Sequence, residues 1–315
     1  MSRNGQSKSA KMVVDRWLDL PTGPLGQIFT YLNPVDMLLV VPFVCKYWGR
    51  ILCEIIFFKK NSNLLDFGPL LFPPFTSIFY GSANENLKAM QLMNFLMGVM
   101  HALAPDSESD VGTCAVRTTP IFKIVFTLGL PLYDRHLVYI AERCPELKSI
   151  SLCCAKNITG RGIARAMRFW TGMEEISYGP FCVPPHYDLH FSRAVEEFGI
   201  NCKNLRFLNL TCLELNWQSA DIIVRNLKSV KSLCLGGANI HKYGLQIFLS
   251  RCKKLDGVKF TCCILKRSKQ RGVFVGEMNI TRIQEGRRTR WRTDRFRHAI
   301  GKLHTSKELV DLLWK

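Results

Sequence analysis

The sequence predicts an α/β chain: a short N-terminal segment of three helices, then a solenoid of short parallel strands with helices on the convex side. Three observations predict it. Between residues 20 and 60, large apolar residues recur at helical spacing around an Asn33-Pro34 pair. From residue 121 onward an L-x-x-L-x-L pattern, with tolerated substitutions, returns at steps of 26, 26, 32, 25 and 25 residues. At 315 residues and 47% hydrophobic content, the chain is long enough for one or two sizeable cores.

Residues 1–14 are polar and are expected to form a tail. In residues 15–60 Asn33 suits a helix cap, Pro34 the first helical position, and Asp36 the positive end of the helix dipole. Leu25, Ile28, Phe29 and Leu32 precede this start at helical spacing, and Val44, Tyr47, Trp48, Ile51 and Leu52 follow it. Helices this short are not stable alone. They carry more apolar surface than three can bury among themselves, so part of it should meet another surface. Residues 61–120 read as an irregular connector and the start of the solenoid. It holds an apolar Pro-rich stretch at 68–74, a Met-rich helix over about 86–103, and an acidic loop at 105–110.

The repeats occupy residues 121–263. Their apolar triplets are Ile121/Ile124/Phe126, Leu147/Ile150/Leu152, Met173/Ile176/Tyr178, Leu205/Leu208/Leu210, Val230/Leu233/Leu235 and Leu255/Val258/Phe260. The long step coincides with Pro184-Pro185, a loop excursion. Helices are expected over 133–143, 160–169, 191–198, 219–227 and 243–250. One such unit cannot bury its own apolar edge, so neighbours must stack. Six of the thirteen cysteines lie on the same grid: Cys144, Cys202 and Cys252 three residues before the first apolar position, and Cys154, Cys212 and Cys262 ten residues further on. They are expected to be small buried side chains at turns.

An odd cysteine count without a secretory signal predicts reduced thiols and a soluble protein of the nucleus, the cytoplasm or both. No apolar run is long enough to span a bilayer, so no membrane partner is expected. Charge is uneven: residues 264–315 hold 14 Lys plus Arg against 5 Asp plus Glu, half of the chain's net +18. Such a run is usually a solvated basic tail.

Residues 20–60 resemble an F-box: Leu20-Pro21 at its opening, Ile28 and Leu32 on the first helix, and Val44-Cys45-Lys46-Tyr47-Trp48 matching V-C-K-x-W. The repeats resemble the cysteine-containing leucine-rich type that accompanies an F-box, with C-P-x-L-x-x-I-x-L at Cys144 and N-I-T-x-x-G-I starting at Asn157. The pairing most resembles plant F-box/LRR proteins. The resemblance implies a non-catalytic subunit of a ubiquitin ligase, docked to a Skp-type adaptor and through it to a cullin, whose repeats select an as yet unknown protein. It also implies that Leu20, Pro21, Ile28, Leu32, Val44, Cys45 and Trp48 dock the adaptor. Periodicity alone equally allows Trp48 and its neighbours to be the core of an ordinary helical domain.

With the apolar triplets turned inward, the alternate strand residues line the concave groove. These are Ser149 and Ser151, Glu175 and Ser177, Phe207 and Asn209, Ser232 and Cys234, then Gly257 and Lys259. Phe207, flanked by Asn209 and Glu175, is the candidate anchor for a substrate segment, with Ser149, Ser151, Ser177, Ser232 and Lys259 completing the site. A lone surface Phe without a partner is the alternative.

A rival reading comes from GRRTRWRTDRFRHAIGK, where six arginines interleave with one Trp and one Phe, a composition suited to binding nucleic acid by phosphate contact and base stacking. A nuclear-localisation stretch or a disordered extension has the same composition. No cofactor and no metal are expected. His186 and His190 are spaced like a helical metal pair but lie in an insertion with no Glu after the first His, and C-x-x-C is absent. Gly160-Arg161-Gly162 lacks the partners of a phosphate loop.

Overall fold

The computed structural model describes residues 20–58, 63–80, 84–104, 121–127, 129–153, 156–179, 187–252, 254–267, 270–285 and 288–300. The chain divides into two compact units at Ile121/Phe122.

In the first unit, α1 (Thr22–Thr30) is followed by α2 (Pro34–Leu39), α3 (Val41–Val44) and α4 (Lys46–Ile56). Asn33 caps α2 as expected, its side-chain oxygen accepting from the Asp36 N–H at 2.8 Å. The second expected helix is two: it breaks at Val40, after which Pro42 fits the first turn of α3. Cys45 then caps α4, its sulfur accepting from the Trp48 N–H at 3.4 Å.

The connector is not the start of the solenoid. Its strand β1 (Leu64–Asp66), a 3-10 turn at Gly68–Leu71, and helices α5 (Thr76–Tyr80) and α6 (Glu85–Leu103) belong to the first unit. Phe57, Phe67, Phe79 and Phe95 form an edge-to-face cluster, centroids 5.3–6.0 Å apart. Helices α4 and α6 approach closely because position 49 is glycine: a Cβ there would lie 2.5 Å from that of Ala102. Beside it the buried guanidinium of Arg50 donates from Nε to the Ala102 carbonyl at 2.9 Å and from Nη2 to that of Ala104 at 3.0 Å. A cation thus closes the negative end of α6. The acidic loop at 105–110 lies outside the described residues.

The second unit is a solenoid. Strands β2 (Lys123–Phe126), β3 (Ser149–Leu152), β4 (Glu175–Tyr178), β5 (Phe207–Thr211), β7 (Ser232–Gly236) and β9 (Gly257–Arg267) pair in parallel in that order. Short strands β6 (Glu214–Leu215) and β8 (Asn239–His241) form a second ladder that joins β9. Helices α7 (Asp134–Arg143), α8 (Gly160–Met167), α9 (Tyr187–Asn201), α10 (Trp217–Asn226) and α11 (Lys242–Arg251) fall within a few residues of expectation, α9 alone being clearly longer. All triplet residues except Ile121 are buried.

The grid cysteines divide. Cys144 and Cys202 are buried, and Trp170 Nε1 donates to the Cys144 carbonyl at 2.9 Å. Cys252 and Cys212 are half-buried, Cys262 is exposed against expectation, and Cys154 lies outside the described residues. The position is a left-handed turn in three successive repeats: Cys212, Gly237 and Cys262, 25 residues apart, have φ of 55°, 59° and 53°. This conformation costs an L-residue roughly 1–2 kcal/mol. Cys262→Gly is therefore expected to hold or raise the urea midpoint, whereas Gly237→Val lowers stability by about 1 kcal/mol or more. A lower midpoint for Cys262→Gly would show that the turn is not strained.

Burial pushes the thiols of Cys53 and Cys202 up to about 12, and those of Cys144, Cys252 and Cys263 to about 11, from an ordinary 9.0. Above pH 9 the unfolded chain loses these protons before the folded one does. Their contribution is therefore complete below pH 9 and disappears as pH climbs to 11–12. Melting temperature should fall in that window, and less steeply in Cys202→Ala. Equal slopes in melts of the two proteins would remove Cys202 from the effect.

The basic C-terminal segment is not simply a solvated tail. Residues 264–267 finish β9, and β10 (Gln270–Glu285) and β11 (Arg288–Ile300) continue the sheet as antiparallel strands. Met278 pairs with Phe260 and Ile280 with Val258, all four buried, so β10 covers the exposed edge of the last repeat.

Candidate functional site

Two surfaces carry the residues singled out by sequence. On the first unit, Pro21, Ile28 and Val44 are exposed, and Leu20, Leu32, Cys45 and Trp48 are half-buried. Tyr47 positions the opening of the segment by donating from its hydroxyl to the Leu20 carbonyl at 2.7 Å. Trp48 packs edge-on against buried Phe29, centroids 5.6 Å apart, so it serves the core as well as the surface. Sequence reasoning missed other apolar side chains on the same helices: Tyr31 is 89% exposed, and Val35, Val40, Phe43 and Ile55 are exposed too. Their signal was present, since residues 35–44 are apolar almost throughout and one short helix pair cannot turn them all inward.

On the second unit the strand register aligns the groove residues in rows. Lys123, Ser149, Glu175, Phe207, Ser232 and Gly257 stand side by side, and so do Val125, Ser151, Ser177, Asn209, Cys234 and Lys259. Ser149 Oγ donates to Glu175 Oε2 at 3.0 Å and Lys123 Nζ lies 3.4 Å from the same oxygen, fixing that carboxylate. Ser149, expected to line the open groove, is buried, its hydroxyl held by Glu175; Glu175 and Lys259 are exposed, and Ser151, Ser177, Phe207, Asn209 and Ser232 are half-buried. Phe207 is thus the large apolar side chain in these two rows, less exposed than a free surface Phe. Asn209 Nδ2 donates to Ser177 Oγ at 3.4 Å, while its Oδ1 is shielded from solvent and lacks a hydrogen-bond partner.

Away from the rows, Glu214 accepts from Lys266 Nζ at 3.2 Å and lies 2.8 Å from His241 Nε2. The His241 hydrogen bond holds the Glu214 carboxyl below its usual range. This cluster ties β6, β8 and β9 together. Of the spaced histidines, His186 lies outside the described residues and His190 falls on the first turn of α9.

The two surfaces thus lie on a helical unit with a partly uncovered apolar surface and on a stack of strand–helix repeats. Residues 17–60 match the F-box domain family. The chain is also similar to an F-box/LRR-repeat protein of Arabidopsis thaliana, with 24% identity over 245 residues, covering 76% of this chain and 70% of that relative. The F-box match and the strand–helix repeats together give this chain an F-box/leucine-rich-repeat arrangement; F-box domains generally bind Skp-type adaptors.

Proposed function

We propose that this protein is the substrate-selecting subunit of a Skp–cullin–F-box ubiquitin ligase of the nucleus or cytoplasm. The apolar surface of α1–α4 docks the adaptor, and the concave rows select a protein for ubiquitination. The observation that carries the first half is the exposure of Ile28, at 37%, and Val44, at 54%, on helices whose other faces are filled. Removing such side chains from water is a reason for association that the isolated unit leaves unmet.

The test is capture of a purified Skp-type adaptor. Ile28→Glu and Val44→Glu change exposed positions, so both should fold, and each is expected to weaken capture about tenfold or more. Wild-type capture by both variants would remove this surface from the mechanism. For the groove, Phe207→Ala should lose a bound substrate that Arg165→Ala, on the exposed face of α8, retains. Equal retention by both would exclude the groove.

A further inference from the structure

The residue three positions before each first apolar strand position forms a column through the solenoid: Cys144, Trp170, Cys202, Leu227 and Cys252. Each follows the helix of its repeat, and side chains of the column reach toward the carbonyl one repeat earlier. Trp170 Nε1 donates to the Cys144 carbonyl at 2.9 Å, and Cys202 Sγ lies 3.9 Å from the Trp170 carbonyl. Trp170 is fully buried, so its indole fills the gap between the turns that end α7 and α8.

The corresponding gap between α10 and α11 lacks that indole. Cys252 stands where Trp170 does, and Leu227 where Cys144 does. A thiol has neither the volume nor the N–H of an indole. What remains is a cavity of about 370 Å³, with buried Leu227, Val230 and Leu255 among its walls. The backbone of the column differs at the same place. The carbonyls of Cys144, Trp170, Cys202 and Cys252 each accept from the N–H three residues on, at 3.2–3.4 Å. That of Leu227 accepts no hydrogen bond among the described residues.

The rim is cationic. Lys228 and Lys254 border the cavity, both exposed and neither in an ion pair among the described residues. Arg251 lies there too, already 3.1 Å from Asp221 Oδ1. An apolar slot of the kind that a Trp fills elsewhere in the column, bordered by two free ammonium groups, is complementary to a Trp with acidic neighbours.

We propose that the cleft between the C-terminal ends of α10 and α11 docks a protein segment carrying a tryptophan flanked by Asp or Glu. The indole enters between Leu227 and Cys252, its N–H donating to the Leu227 carbonyl, and the carboxylates pair with Lys228 and Lys254. This site goes beyond the groove reading above and stands apart from the strand rows.

The experiment uses the full chain and a fluorescent peptide of one Trp with two Asp on each side, read by anisotropy. The wild type is expected to bind it, more weakly as salt is added, and to bind the peptides with Ala for Trp or Asn for Asp about tenfold less tightly. Cys252→Trp supplies the indole from within the chain. It should weaken peptide binding about tenfold or more while the melting temperature holds or rises. K228E/K254E, at exposed positions, should lose the peptide to a similar extent. R161E/R165E, the same charge change on α8, should keep it, and so should Phe207→Ala. Failure of the wild type to bind the Trp peptide, equal binding of the Ala peptide, or equal loss in the two double variants would each overturn the proposal. So would wild-type binding by a folded Cys252→Trp protein; if that protein does not fold, the two double variants decide alone. Loss of binding in Phe207→Ala would overturn it in favour of the concave rows. Binding of N-acetyltryptophanamide as tight as that of the peptide would overturn it in favour of a small apolar ligand.

Discussion

Truncation after Arg267 is expected to unravel the last repeat. It removes β10, whose Val275, Met278 and Ile280 are 0%, 0% and 2% exposed, and uncovers Val258 and Phe260 beneath them. A fully buried side chain of this kind contributes about 1.5–3 kcal/mol, so the three together forfeit roughly 5 kcal/mol or more. That is comparable with the whole stability of many domains. The backbone of β9 also loses its antiparallel partner. Hydrogen exchange should show the β9 amides unprotected, and the melting temperature should fall sharply. A chain ending after Glu285 keeps β10 and should avoid most of the loss. An unchanged melting temperature after truncation at Arg267 would mean that the last repeat needs no cover.

Arg50→Ala is expected to be the most damaging single substitution in the first unit. The guanidinium is 6% exposed and bonded to the carbonyls of Ala102 and Ala104 at the end of α6. Each hydrogen bond from a charged donor is worth about 1.5–3 kcal/mol, and alanine leaves those carbonyls without it. A loss of roughly 3 kcal/mol or more follows. Arg50→Lys should recover only part, because a compact ammonium cannot reproduce the planar fork that reaches both acceptors. Denaturant midpoints decide it: full rescue by lysine would show that charge alone matters, and a neutral Arg50→Ala would show that the helix end is satisfied without it.

The repeats were legible because their signal is periodic. Leu208 and Leu210 recur as Leu233 and Leu235 and again as Val258 and Phe260, and buried strand faces demand that recurrence. The groove rows followed, since a strand with one face fixed has its other face fixed as well. The connector was not legible in this way. Its attachment depends on one arginine, one glycine and four phenylalanines far apart in sequence, and such packing has no period. The C-terminal strands did carry a signal: in Arg288-Thr289-Arg290-Trp291-Arg292-Thr293 the charged residues alternate with β-formers at period two. Reading net charge before periodicity hid it, and Asp294 interrupts the alternation where the register of β10 with β11 shifts.

The antiparallel course of β10 against β9 has a consequence for how such a chain can change its length. Duplication of a 25-residue unit between β5 and β9 adds a strand running the same way as its neighbours and keeps each left-handed turn in phase. A unit inserted between β10 and β11 would meet a strand of the opposite direction, with its leucines unable to continue the row. The array is open to lineage-specific expansion from within, so homologues with more repeats should carry them upstream of an unaltered terminal hairpin.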